Sequence, residues 1–206
     1  MICVSRGEQV DPGEECPVMD LIENPVLGMK LCFHHDLEAP PGTRLQIEYW
    51  VQPGGAREMV AHFHPRLRES FQVLSGEGSY RLGREILPVA AGQTVELPAG
   101  VPHIHPWNTG SEELHFIQTI HSPEPALEAM ERVETIFRSL GAMARDRKVN
   151  RQGLPRNPLH AAVMIQGLHP ESYLEGLPVG LQTMLVGGLA WLGKLLGYRL
   201  SYSPEP

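Results

Sequence analysis

Hydrophobic and polar positions alternate along the first 122 residues in short runs, and the period then changes to that of a helix. From Thr43 to Val51, Leu45, Ile47, Tyr49 and Val51 share one face, and Gln46, Glu48 and Trp50 share the other. Successive side chains of a strand point to opposite sides, so this run is expected to be a strand with one buried face. Met59–His64, Ser79–Leu82, Ile86–Val89, Gly92–Pro98 and Leu114–Ile120 are further extended runs. Turn residues separate them: Pro53-Gly54-Gly55, Gly83-Arg84, Ala99-Gly100 and Thr109-Gly110. Short strands punctuated every eight to twelve residues or so predict an all-β sandwich or barrel. Upstream, the apolar pieces Pro17–Ile22 and Met29–Phe33 read as edge strands around the Asn24-Pro25 turn.

After His121, Ser122–Pro125 closes the β region, and Leu127, Met130, Val133, Phe137 and Leu140 recur at helical spacing. That helix runs past Gly141 toward the charged Arg145–Lys148 cluster, a solvated end. Asn157-Pro158 supplies a cap and a first-turn proline for a second helix reaching about Gly167. A third helix is expected over 178–197. Leu181, Met184, Leu185, Leu189, Leu192, Leu195 and Leu196 form its wide apolar face, with Gln182, Thr183, Ala190 and Lys194 opposite. It approaches the length of a membrane span, but Gly187, Gly188, Gln182 and Lys194 lower its hydropathy. Packing of the apolar face against the β unit or a second subunit is the favoured expectation; membrane-surface contact is not favoured. The expected division is a β unit, 1–122, and a helical extension, 123–206.

Composition narrows the function. A net charge of −7 and a pI near 5.8 exclude a nucleic-acid surface, which needs clustered Lys and Arg. The first residues lack a basic region followed by an apolar run, so no signal peptide and a cytoplasmic location are expected. Cys3, Cys16 and Cys32 show no CxxC or metal-type spacing and are expected as free thiols.

The candidate chemistry centres on histidines. His62 and His64 share one strand face, and Pro65–Arg68 leaves room for a bend that returns Glu69 toward the same point. Imidazole nitrogens with a hard carboxylate oxygen suit first-row divalent metals. His34 and His35 face opposite ways, so at most one reaches the interior. Glu48 and Trp50 are substrate-contact candidates if their face lines a pocket; otherwise Glu48 sits in solvent. His105 shares the face of His103, two residues away, either as a ligand-orienting group or proton shuttle or at the rim where Pro106 ends the strand. His115 and His121 read as structural.

These residues form two motifs. The first is Gly55, His62-Phe63-His64, Glu69 and Gly76; the second is Gly92, Pro98, Gly100, His103 and Asn108. Residues 43–120 therefore resemble a cupin, a small jelly-roll barrel. The first spacing is one residue longer than the family pattern, and Asn108 falls one residue late. The resemblance implies that His62, His64, Glu69 and His103 hold one divalent transition-metal ion (Fe, Mn, Ni or Zn) with coordination positions left open. It also implies a cupin jelly-roll β-barrel followed by C-terminal α-helices, and pairing into a homodimer. Glu23-Asn24-Pro25, Gly153–Leu159 and Leu192–Arg199 are similar to stretches of a bacterial group of single-cupin proteins.

The function expected is that of a metal-dependent enzyme acting on a small organic molecule, dioxygenase-like or isomerase-like, with His105 or Glu48 moving protons. The alternative is a non-catalytic metal- or ligand-binding module or sensor.

Overall fold

The computed structural model describes residues 21–34 and 39–203. Most of the expected strand over Pro17–Ile22, together with Cys3, Cys16 and His35, lies outside them. Two antiparallel sheets face each other. The larger contains β1 (Ile22–Asn24), β2 (Met29–His34), β3 (Arg44–Val51), β10 (Leu114–His121), β5 (Arg68–Ser75) and β8 (Thr94–Leu97), in that spatial order. The smaller runs β11 (Tyr173–Leu174), β4 (His62–Phe63), β9 (His103–Asn108), β6 (Glu77–Leu82) and β7 (Glu85–Ala90). Among the described residues no pairing joins the outer strands of one sheet to those of the other, so there the jelly roll is an open sandwich rather than a closed barrel.

The alternation read from the sequence sets the orientation of the larger sheet. Leu45, Ile47, Tyr49 and Val51 are all buried, and they meet Phe71, Val73, Leu114 and Phe116 in the core between the sheets. Tyr49 and Phe116 are register partners on β3 and β10, and their rings stack at 5.0 Å. The motif glycine Gly76 has φ +81°, and a Cβ there would lie 2.5 Å from the Glu113 carbonyl oxygen. Only glycine suits a turn that approaches another strand so closely. Asn108 donates to the carbonyls of Val51 and Glu112 and accepts from Gly110 N–H, so it fixes the turn after β9.

The helix α1 (Leu127–Arg145) lies against the core through Met130, Val133 and Phe137. Phe137 meets Phe33 of β2 edge-on at 6.1 Å. Gly141 lets the helix close onto β1, because a Cβ there would sit 2.5 Å from Ile22. The next helix, α2 (Pro158–Leu168), starts under the Asn157 cap, whose side chain accepts from the N–H groups of Leu159 and His160.

In α3 (Val179–Leu195) the apolar face does not pack on the β unit, one of the two favoured packings. Gln182, Ala190 and Gly193 are the buried residues, whereas Met184, Trp191 and Leu195 are about two-thirds exposed and Leu181, Leu185, Leu189 and Leu192 are 40–47% exposed. The close approach of α2 selects the small face: a Cβ on Gly193 would lie 2.8 Å from the Leu159 carbonyl oxygen. Gln182 reinforces this orientation by exchanging hydrogen bonds with the Leu174 backbone at 2.8 and 3.0 Å. No helix among the described residues is long and apolar enough to cross a membrane.

Two further features depart from the sequence reading. The strand β11 adds residues from the C-terminal third to the smaller sheet, pairing Tyr173 with Phe63 and Leu174 with His62. Two residues carry no readable alternation. Cys32 is disulfide-bonded, so the free-thiol expectation does not hold there. The absence of CxxC spacing spoke against a metal site, not against pairing.

Candidate metal centre

Four residues from three strands converge on one point in the interior. His62 lies on β4 with His64 just after it, Glu69 is at the start of β5, and His103 opens β9 opposite His62 in the register. The link between the motifs is direct: Gly100 N–H donates to the His64 carbonyl oxygen at 2.7 Å. One ligand atom from each of His62, His64, Glu69 and His103 lies within 4.8 Å of all the others. His64, Glu69 and His103 are buried, and His62 is partly so.

The backbone sets the protonation of all three rings. The Nδ1 atoms of His62, His64 and His103 lie 3.1, 2.9 and 2.9 Å from the carbonyl oxygens of Val60, Glu171 and Val101. A carbonyl only accepts, so Nδ1 carries the proton and a neutral ring turns the Nε2 lone pair inward. His64 Nε2 stands 3.3 Å from Glu69 Oε1, and His103 Nε2 stands 3.0 Å from Glu69 Oε2. Neither Nε2 nor Glu69 Oε2 has a hydrogen bond of acceptable geometry among the described residues. Buried acceptors aimed at one another repel unless a cation sits between them, and the donor set suits a first-row divalent ion.

Electrostatics acts in the same sense on His62 and Glu69 and in the opposite sense on His64. Burial pushes His62 well below the usual histidine range, and the neighbouring histidines add to this. For Glu69, burial acts upward but is outweighed by His105, His64 and His103, which hold the carboxyl well below its ordinary value. Burial lowers His64, yet the Glu69 carboxylate raises it overall. A neutral imidazole and an ionised carboxylate are the forms that ligate metal.

His105 lies on the same face, buried, with its ring stacked on His103 and its unpartnered Nε2 3.3 Å from Glu69 Oε2. Burial lowers its pKa despite the opposing Glu69 charge. Glu48 is elsewhere. It sits on the opposite face of β3 from Ile47, and its two oxygens meet His34 Nε2 at 2.7 Å and His115 Nε2 at 2.6 Å. Strand alternation put the core side of β3 at Ile47 and Tyr49, so Glu48 and Trp50 do not line the interior. Nor is Glu48 free in solvent: burial raises its pKa, but the hydrogen bonds with His115 and His34 pull it down to about 2. Trp50 stacks on His115 at 5.0 Å.

The sequence reading missed two groups behind Glu69. Gln118 Nε2 donates to Glu69 Oε1 at 2.6 Å, and Gln118 Oε1 accepts from the Tyr49 hydroxyl at 3.0 Å. All three residues are buried. A signal was present, because Gln118 is the one polar residue in the inward series Leu114, Phe116, Gln118 and Ile120. A cavity of about 190 Å³ adjoins the cluster, with His62, His64, Glu69, His105 and Gln118 among its lining and otherwise mainly apolar walls.

A sandwich of antiparallel sheets with a His/Glu cluster at its centre defines a double-stranded β-helix protein with a group positioned for a metal ion. Residues 48–120 match the cupin domain family, and this stretch of the chain is a cupin domain. No curated protein matches the chain. Among solved structures, similarity extends to an uncharacterized conserved protein with a double-stranded β-helix domain from Klebsiella pneumoniae, at 20% identity over 46% of this chain and 80% of that one, with a TM-score of 0.37. It extends also to oxalate decarboxylase from Bacillus subtilis, at 22% identity over 52% of this chain and 28% of that one, with a TM-score of 0.42. Streptomyces PAC13 with uridine is 15% identical over 53% of this chain and 82% of its own, with a TM-score of 0.40. These likenesses cover about half of the chain.

Proposed function

We propose that the chain is a metal-dependent cupin enzyme acting on a small organic molecule in the interior of the sandwich. The observation that carries this reading is the set of inward-facing acceptors on His64, Glu69 and His103, buried together without donors. His62, His64, Glu69 and His103 would hold one ion of iron, manganese, nickel or zinc. When bound, such an ion supplies Lewis acidity toward a substrate oxygen or, for the redox-active metals, oxygen chemistry of the dioxygenase type; isomerisation is the second reaction class.

The protein's own groups do the rest. The carbonyls of Val60, Val101 and Glu171 keep the three rings in one tautomer and one orientation. Gln118 and Tyr49 hold the Glu69 carboxylate in place. His105, a residue of the cavity wall whose unpartnered Nε2 stands 3.3 Å from Glu69 Oε2, takes up or returns a proton at that atom. The apolar walls exclude water from the reacting group.

Elemental analysis after loading and dialysis is expected to give one equivalent of metal, lost in His62→Ala and His103→Ala. Oxygen uptake and a broad substrate screen on the loaded protein then test for turnover. Metal well below one equivalent, with none regained on readdition, overturns the reading. Full metal occupancy with no turnover of any compound replaces it with a binding or sensor module.

A further inference from the structure

The cavity has a direction that its position beside the metal ligands does not require. It begins at Glu69 on β5 and crosses the larger sheet strand by strand, past Ile120 on β10, Ile47 on β3 and Leu31 on β2 to Ile22 on β1. Four inter-strand steps of about 4.8 Å make this path roughly 19 Å long. Met130 and Phe137 of α1 line it from the helix side. Two polar residues that also line it are engaged within the fold: Asn24 accepts from Leu27 N–H, and Glu171 pairs with Arg132. Beyond the metal-facing end, the path is walled mainly by hydrocarbon.

We infer that this passage binds a slender amphiphile, with one anionic oxygen head of the carboxylate class at the metal and an unbranched apolar tail lying across the sheet beneath α1. The inference rests on the metal-dependent function proposed above. Three neutral imidazoles and one carboxylate around a divalent ion leave a net charge of about +1, which favours an anionic head. A polar group along the tail would be buried against Ile47 and Leu31 without a partner, and that is costly. Methylenes laid there each leave water, which tightens binding roughly fourfold per group.

The test is calorimetric titration of the zinc-loaded full chain with butyrate, hexanoate, octanoate and decanoate below their micellar concentrations. Affinity is expected to climb roughly fourfold per methylene from butyrate to octanoate. Val133 of α1 also lines the passage and is only partly buried. Val133→Trp, and the milder Val133→Phe if the former does not fold, are expected to abolish the gain for the longer chains while leaving butyrate affinity and zinc content unchanged. Equal affinity for butyrate and octanoate at full zinc occupancy overturns the tail assignment and leaves the metal reading standing. Absence of any carboxylate binding at full occupancy overturns the inference as a whole. Failure to retain zinc overturns the metal reading on which the head assignment rests.

Discussion

Replacing Gln118 with leucine removes the middle of the Tyr49–Gln118–Glu69 chain and keeps roughly the same volume. Two costs follow from the geometry. The 2.6 Å bond to Glu69 has a charged acceptor, and such bonds contribute about 1.5–3 kcal/mol. The Tyr49 hydroxyl is 2% exposed as a residue and bonds only to Gln118 among the described residues, so orphaning it costs about 1–3 kcal/mol more. Urea denaturation of the metal-free protein is expected to show a loss of about 2.5–6 kcal/mol for Gln118→Leu. Chelator competition is expected to show metal affinity reduced by about 10–100-fold, because Glu69 loses the group that orients it. Tyr49→Phe removes the hydroxyl that Gln118→Leu would strand, so the double variant should be more stable than Gln118→Leu alone by about 1–3 kcal/mol. Losses that simply add, or a Gln118→Leu protein with unchanged metal affinity, refute the account of this chain.

The Glu48 carboxyl titrates near 2 in the folded protein against an ordinary value of 4.5. A depressed carboxylate contributes stability that is full above 4.5 and is lost as pH falls toward 2. The stability gap between wild type and Glu48→Gln should therefore close across that interval, and a gap constant with pH refutes it. A chain ended after His169 lacks the Glu171 carbonyl that orients His64. It should keep its β circular dichroism but bind metal about 10–100-fold more weakly, and undiminished affinity by chelator competition refutes the coupling. Sedimentation at micromolar concentration is expected to give a homodimer, and a monomer there ends that expectation.

Much of the fold was legible because β alternation and helical period are properties of short stretches. The buried series Leu45, Ile47, Tyr49 and Val51 and the capped start of α2 at Asn157 both follow from local rules. The approximate position of His105 followed too, since residues two apart on a strand share a face. What escaped depends on contacts between distant segments. Glu48 offered a choice of two faces, and only the pairing of β2, β3 and β10 brings His34 and His115 to its oxygens. The apolar arc of α3 suggested packing on the β unit or on a second subunit, and which face turns toward α2 was set by how closely α2 approaches Gly193. The strand β11 is stabilised by its partner β4 rather than by its own two residues.

The hydrogen bond from His64 to the Glu171 carbonyl joins residues 107 positions apart. A ribosome releases the chain from the N-terminus, so His62, Glu69 and His103 emerge well before the carbonyl that fixes the fourth partner. The cluster is thus completed by a segment made well after its other members, and a nascent chain that stops short of it is left with an unset His64 and the unpaired edge of β4.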